Sequence, residues 1–187
     1  MANMFRDLRA DEIECRVAQV TMNPAYPQGN GVTLLLYKDA RCDQTILDET
    51  VGAMGWMRSH TRDNANCIVS IWDKEKQQWI SKEDTGTESN TEKEKGLASD
   101  SFKRACFNWG IGRELYTAPT IKIKAEDCPS LKEYNGKWKC FDTFEVRKIA
   151  IENKRIVAIA IKNTKTKKTC FVWQDEEWAA KNKGQNA

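Results

Sequence analysis

The sequence predicts an α+β protein: a β-β-β-α core, in which a curved antiparallel sheet is backed by one long helix, with a C-terminal antiparallel β meander. Three observations predict it. Short runs of strand type, rich in β-branched and aromatic residues, recur between polar turns before residue 85. Ala98, Phe102, Ala105, Cys106 and Trp109 then recur at i, i+4, i+7, i+8 and i+11, which draws one apolar stripe along a helix of about five turns. After Pro119 and Pro129 the character changes, and three further strand-like runs follow one another across short polar turns.

Taken in order, residues 13–22 read as a strand, with Ile13, Cys15, Val17 and Ala18 among polar neighbours. The loop 23–31, rich in Asn, Pro and Gly, closes it. Residues 32–37 form a short apolar run of strand type. Residues 39–50 read as a helix capped by Asp39, with Ile46 and Leu47 on its apolar face and Gly52 as terminator. Strands follow at 56–62, 67–72 and 78–82, the last two flanking the charged loop 73–77, which has hairpin length. Ser89-Asn90-Thr91-Glu92 matches a capping box, in which the Ser and Glu side chains each satisfy an orphan N–H at a helix start. Gly110 is placed to end that helix in the left-handed conformation, with Ile111 as the apolar contact behind it. The meander comprises 141–151, 155–162 and 169–173, with Val157, Ile159 and Ile161 facing one way and Ala158, Ala160 and Lys162 the other. Lys165, Lys167 and Lys168 crowd its second turn. A frayed tail is expected from Lys181. A linear division follows, with a core domain over 1–125 and the meander, packed on it, over 126–187.

Composition excludes more than it assigns. Thirty Lys and Arg against 27 Asp and Glu leave a net charge of +3, too small to name a partner, so the placement of the charges matters more than their sum. Cysteines 15, 42, 67, 106, 128, 140 and 170 are odd in number, scattered and without a C-x-x-C pair. That pattern speaks against a disulfide framework and against a zinc site, and for buried free thiols in a reducing compartment. The first residues lack the apolar core of a signal peptide, and no stretch approaches the roughly 20 apolar residues of a membrane helix. A soluble, cytoplasmic protein without membrane attachment is expected.

Several chemistries lack their residues. No G-x-x-x-x-G-K-[ST] phosphate loop occurs, which disfavours an ATP-driven recombinase. His60 is the single histidine, so histidine catalysis would rest on it alone. Asp48-Glu49 and Glu83-Asp84 could hold Mg²⁺ for a nuclease, yet adjacent acids on a helix or strand point in different directions. No catalytic residue, metal ligand or cofactor is therefore assigned. Basic residues are better placed. Lys103 and Arg104 lie off the apolar stripe of the long helix, and Asp100, three and four residues earlier, can pair with either and fix its direction. Lys93 and Lys95 lie one to two turns before them, and Arg41, Arg58, Arg62 and Lys82 recur in the preceding elements. A groove that tracks a phosphate backbone needs such ordered Lys and Arg and little base-specific chemistry. Of the seven tryptophans, Trp109 falls on the buried stripe and Trp56 follows a glycine turn, both core positions; Trp72 and Trp79 flank a hairpin.

The ordered series Trp79 to Ser89 (WISKEDTGTES) and Glu92 to Ala105 (EKEKGLASDSFKRA) resembles the Rad-fifty-two single-strand annealing family, and within it the bacteriophage Sak-type members. Upstream, Ala40-Arg41, Ile46-Leu47-Asp48-Glu49 and Gly52-Ala53-Met54-Gly55-Trp56 are similar to that family's first helix and turn. Downstream, Trp109-Gly110-Ile111-Gly112-Arg113-Glu114-Leu115-Tyr116 is similar to the end of its long helix. The resemblance covers residues 30–120, with a looser similarity beyond. It implies a non-enzymatic protein that forms rings or helical arcs of identical subunits, binds single-stranded DNA in an outer positive groove and anneals complementary strands without ATP or metal, in recombination and repair. It makes Lys103 and Arg104 the inner contacts to the DNA backbone, Lys95 a further basic position beside Lys93, and Arg41 the arginine near the first helix. Lys82 joins them from the preceding strand. The chain departs from the eukaryotic members at Phe107, where they carry another arginine, and at Ala53, where they carry an aromatic; Arg113 would then supply the charge lost at Phe107. Implied partners are single-stranded DNA, copies of the same chain, and an exonuclease or host single-strand binding protein in a bacterial cytoplasm. Two other classes fit the same basic face or the same acids: an RNA- or duplex-binding module, and a metal-dependent nuclease.

Overall fold

The computed structural model describes residues 4–87 and 93–182, and for residues 93–95 only the backbone. The fold class is the expected one, α+β with a curved, nearly barrel-like antiparallel sheet and a C-terminal strand meander. The chain, however, does not divide at 125. It forms two compact units, one of Met1–Asp7 with Asp39–Arg113, the other of Leu8–Lys38 with Glu114–Ala187. The reason is strand pairing: β1 (Glu14–Thr21) and β2 (Gly31–Tyr37) pair with each other and find their outer partners among strands beyond residue 120 rather than among those over 56–85.

The first unit carries the β-β-β-α arrangement. Helix α1 (Ala40–Val51) is capped by Asp39, whose carboxylate accepts from the Arg41 N–H, and it buries Ile46 and Leu47 completely. Strands β3 (Trp56–Thr61), β4 (Asn66–Asp73) and β5 (Gln78–Thr85) then form an antiparallel three-stranded sheet in the order β3-β4-β5. The loop at 73–77 turns because the Asp73 carboxylate accepts the N–H groups of Glu75 and Lys76 and Gln77 adopts a positive φ of 52°. On the inner face Cys67, Val69 and Ile71 of β4 are buried and meet α2 (Lys93–Asn108). The opposite face pairs Trp72 with Trp79 edge-on at 5.4 Å and Ser70 with Ser81 at 2.8 Å.

Phe102, Ala105 and Cys106 on the predicted stripe are fully buried, while Ala98 and Trp109 are half-buried. Phe102 stacks on Trp56 at 6.0 Å, and the Trp109 indole N–H donates to the Val69 carbonyl; both tryptophans, expected in the core, are half-buried at its margin. The helix ends as predicted. Gly110 has φ +99°, its N–H bonds the Phe107 carbonyl and the Ile111 N–H bonds the Cys106 carbonyl, a Schellman pair closed by the fully buried Ile111. At the other end the capping box over 89–92 lies outside the described residues. Gly86, just past β5, lies so close to α2 that an added Cβ would stand 2.6 Å from the Ser101 nitrogen.

The second unit is a six-stranded antiparallel sheet in the order β11-β10-β9-β1-β2-β6, with β6 (Ile121–Lys124), β9 (Phe144–Glu152), β10 (Arg155–Asn163) and β11 (Thr169–Gln174). Its edge strands β6 and β11 approach one another, which curls the sheet nearly into a barrel. The interior is filled by alternate residues: Val32, Leu34 and Leu36 of β2, Ile121 and Ile123 of β6, Phe144 and Val146 of β9, and Val157, Ile159 and Ile161 of β10. The in-and-out pattern read for β10 is therefore present. Three elements went unread in the sequence: β6, the hairpin β7 (Leu131–Tyr134) and β8 (Lys137–Cys140), and the short helix α3 (Glu176–Lys181). Among the described residues no helix is long and apolar enough to cross a membrane.

Candidate nucleic-acid interface

With Phe102, Ala105 and Cys106 turned into the core, helical periodicity turns Lys103 and Arg104 away from it, and both are only partly covered. Asp100 organises the pair. Its Oδ2 accepts from Arg104 Nε at 3.0 Å, from the Thr87 N–H at 2.9 Å and from the Thr87 hydroxyl at 3.3 Å. Burial works to raise the Asp100 acid, but the Thr87 N–H, the Arg104 guanidinium and the charge of Lys103 overcome it and hold the group below its ordinary value. An i,i+4 pair this exposed contributes only about 0.3–0.5 kcal/mol to stability; its larger effect is on where Arg104 points.

Arg41 lies at the start of α1 with its side chain 86% exposed. Its Nε donates to Asp39 Oδ1 at 2.9 Å, which with the Arg41 backbone N–H lowers the Asp39 acid; the charge of Lys103 adds to that lowering. Asp39 and Asp100 thus both lie within electrostatic reach of Lys103. Arg41, Asp39, Lys103, Asp100 and Arg104 are thus a coupled set of opposite charges, carried by the start of α1 and the middle of α2. Pairing of the two acids with their arginines leaves the set net positive, and the amide end of the α1 dipole adds to the same sign. The link through Asp39 was not anticipated. The close spacing of Asp39 and Arg41 at a helix start was the available signal.

The other predicted contacts are placed differently. Lys82 donates through Nζ to the Asn108 carbonyl at 2.8 Å and stands 4.5 Å over the Trp109 ring. Arg113 donates to the Phe107 and Asn108 carbonyls, both at 2.9 Å, with its guanidinium 5.6 Å over the Phe107 ring. Both cations therefore cover the carbonyl end of α2, where the helix dipole favours positive charge. Arg58 of β3 stands 4.7 Å over the buried Phe102 ring. Lys93 and Lys95 lie on the first turn of α2, and their side chains are outside the described residues. Ala53 is exposed in the turn after α1.

The residues weighed for catalysis are dispersed. His60 Nδ1 is 3.5 Å from the Ser101 hydroxyl, and burial followed by the charge of Arg58 lowers its pKa. Asp48 accepts from the Trp56 indole N–H, and Glu49 pairs with Arg6. Glu83 and Asp84 sit opposite Ile68 and Cys67, hence on opposite faces of the sheet; Glu83 accepts from Asn66 and Asp84 from Asn108. Compared with protein-family models, curated proteins and solved structures, the chain matches none of them. The cations on α1 and α2 have a chemistry of their own: Arg41 and Arg104 are held in direction by Asp39 and Asp100, and with Lys103 they can grip successive anionic groups such as backbone phosphates.

Proposed function

We propose that the chain is a Rad-fifty-two-like, Sak-type annealing protein that binds single-stranded DNA without ATP or metal and brings complementary strands together. The observation that carries the reading is the Lys103–Arg104 pair, turned off the buried stripe of α2 and coupled electrostatically to the acid that holds Arg41. Phosphate contacts of this kind hold the backbone and leave the bases free to test a second strand. Lys82 and Arg113 enter as helix caps that keep the end of α2 rigid rather than as direct contacts. Among the described residues the sheet edges at β3 and β5 are unpaired, which supports assembly of identical subunits into a ring or arc, and repetition of the cations multiplies weak contacts into tight binding. An exonuclease or host single-strand binding protein, in a bacterial cytoplasm, completes the proposed setting.

The test is to mix labelled complementary oligonucleotides with purified protein in EDTA without nucleotide. Pairing faster than the spontaneous rate is expected, with native mass above that of one chain. A strict need for ATP or Mg²⁺, or cleavage of the DNA in Mg²⁺ or Mn²⁺, would overturn the reading. The same salt titration on single-stranded DNA, duplex DNA and RNA separates annealing from a duplex- or RNA-binding module.

A further inference from the structure

Outside the basic set, the described residues hold a second chemical cluster, built by the β7–β8 hairpin of the barrel unit. Asn135 and Gly136, with φ of 52° and 71°, form the two-residue turn that folds Lys137–Cys140 back on Leu131–Tyr134. Leu131 lies opposite Cys140 in the ladder. At the base of the hairpin, Cys128, Cys140 and Asp142 converge, and their Sγ, Sγ and carboxylate oxygen all lie within 4.8 Å of one another.

The loop holding them is fastened on several sides. The Leu131 N–H donates to the Cys128 carbonyl at 2.9 Å, and Asn163 donates to the Asp127 carbonyl at 3.0 Å. The Ser130 N–H donates to Asp142 Oδ2 at 2.8 Å. Asp142 is only 5% exposed, and its other oxygen, Oδ1, is buried and finds no hydrogen-bond donor among the described residues. Buried carboxylate oxygens are ordinarily satisfied, so a carboxylate with one orphan oxygen and two thiols within 4.8 Å of it asks for a cationic partner.

We infer that Cys128, Cys140 and Asp142 form a binding site for a borderline-soft divalent cation of the zinc class. Tetrahedral zinc, with bonds of about 2.3 Å to sulfur and about 2.0 Å to oxygen, needs sulfur and oxygen ligands roughly 3.5 Å apart. The Cys140 thiol donates to Asp142 Oδ2 at 3.5 Å, a separation of that size, and a bound ion would take the place of the shared proton. Two thiolates select zinc over Mg²⁺ or Ca²⁺, which take oxygen ligands, and three protein ligands leave one position for water. The gain is structural. Strands β7 and β8 are almost wholly exposed and held by surface contacts such as Tyr134 against Phe141 and Lys139 over Tyr134. A two-stranded hairpin is marginal without further support, and an ion at its base would staple it to the start of β9. The C-x₁₁-C-x-D spacing escapes a search for C-x-x-C because the hairpin, not a knuckle, brings the thiols together. This inference is independent of the DNA-binding reading.

The experiment uses the full chain, reduced, freed of metal with a chelator and titrated with Co²⁺. One ion per chain is expected, with thiolate-to-cobalt charge-transfer absorption that Zn²⁺ abolishes by displacement and Mg²⁺ does not, and Zn²⁺ should raise the melting temperature. Cys128→Ser and Cys140→Ser should each lose the absorption, Asp142→Asn should weaken Co²⁺ binding at least tenfold, and Cys42→Ser should keep it. The inference is overturned if folded parent protein shows no thiolate–cobalt absorption, which requires no variant to fold, or if the absorption survives Cys128→Ser combined with Cys140→Ser.

Discussion

The helix-backed unit and the barrel unit bury their cores by opposite means. In the first, one amphipathic helix closes one face of a three-stranded sheet, and the outward side of that helix is left to carry charge. In the second, the sheet curls on itself and needs no helix, so its interior is filled by alternate strand residues from β2, β6, β9 and β10. A helix that is core on one side and cation on the other can hold Lys103 and Arg104 at fixed heights. The nearly closed sheet offers no such helix face, and its chemistry gathers where a loop and a hairpin meet, at Cys128, Cys140 and Asp142.

The largest expected effect tests the first half of the contrast. Phe102 is completely buried, between Trp56 and the Arg58 guanidinium. Phe102→Ala should cost about 3–5 kcal/mol. Hydrogen exchange read by segment should show protection falling in 39–113 well before it falls in the strands of 144–174. Equal loss in both would mean that the two cores do not behave as separate cooperative bodies.

Gly86→Ala is next. Its Cβ would meet backbone atoms of α2, Ser101 nitrogen at 2.6 Å and Leu97 oxygen at 2.9 Å, so a rigid helix must shift. A loss of about 1–3 kcal/mol in denaturant unfolding is expected, and an unchanged midpoint would show that α2 is not seated so tightly on the end of β5. Gly110→Ala should cost less, about 1 kcal/mol, because φ of +99° is strained for alanine but nothing crowds the site.

The smallest effect concerns acid. Asp39 and Asp100 both have lowered pKa values in the folded protein. Such groups add stability above the unfolded carboxylate value, near pH 4, and lose it as pH falls through their lower folded values. Asp100→Asn should therefore flatten the acid limb of a stability–pH curve below about pH 4 and loosen Arg104; an acid limb identical to the parent's would remove Asp100 from the account.

The contrast also explains what the sequence disclosed. Within 39–113 each strand pairs with its neighbour and the helix follows, so period and caps sufficed: Asp39, the Phe102 stripe and the Gly110–Ile111 ending are all where the pattern puts them. In the barrel unit Glu14 pairs with Glu145 and Gly31 with Lys124, partners more than a hundred and about ninety residues away, and nothing local encodes that choice. Two signals were nevertheless present and unread, the alternation Ile121-Lys122-Ile123-Lys124 of β6 and the Asn135-Gly136 turn of the β7–β8 hairpin. Of the basic residues, Lys103, Arg104 and Arg41 lie where the helix period and the Asp39 cap put them, off the buried stripe and at the start of α1. That Lys82 and Arg113 cap α2 was not, because a cation's choice between solvent and a helix end depends on where the strand and the turn bring it.

The grip of the α1 and α2 cations on DNA phosphates is tested most directly by salt titration of single-stranded DNA binding with Lys103→Ala combined with Arg104→Ala. Both side chains lie off the buried stripe and alanine is a good helix former, so the double variant should melt like the parent. The account predicts weaker binding by a similar factor for all sequences, and a slope of log affinity against log salt reduced by roughly 0.7 per lost contact in each engaged subunit. A double variant that melts like the parent and binds and anneals DNA with the parent's affinity and salt slope would contradict it.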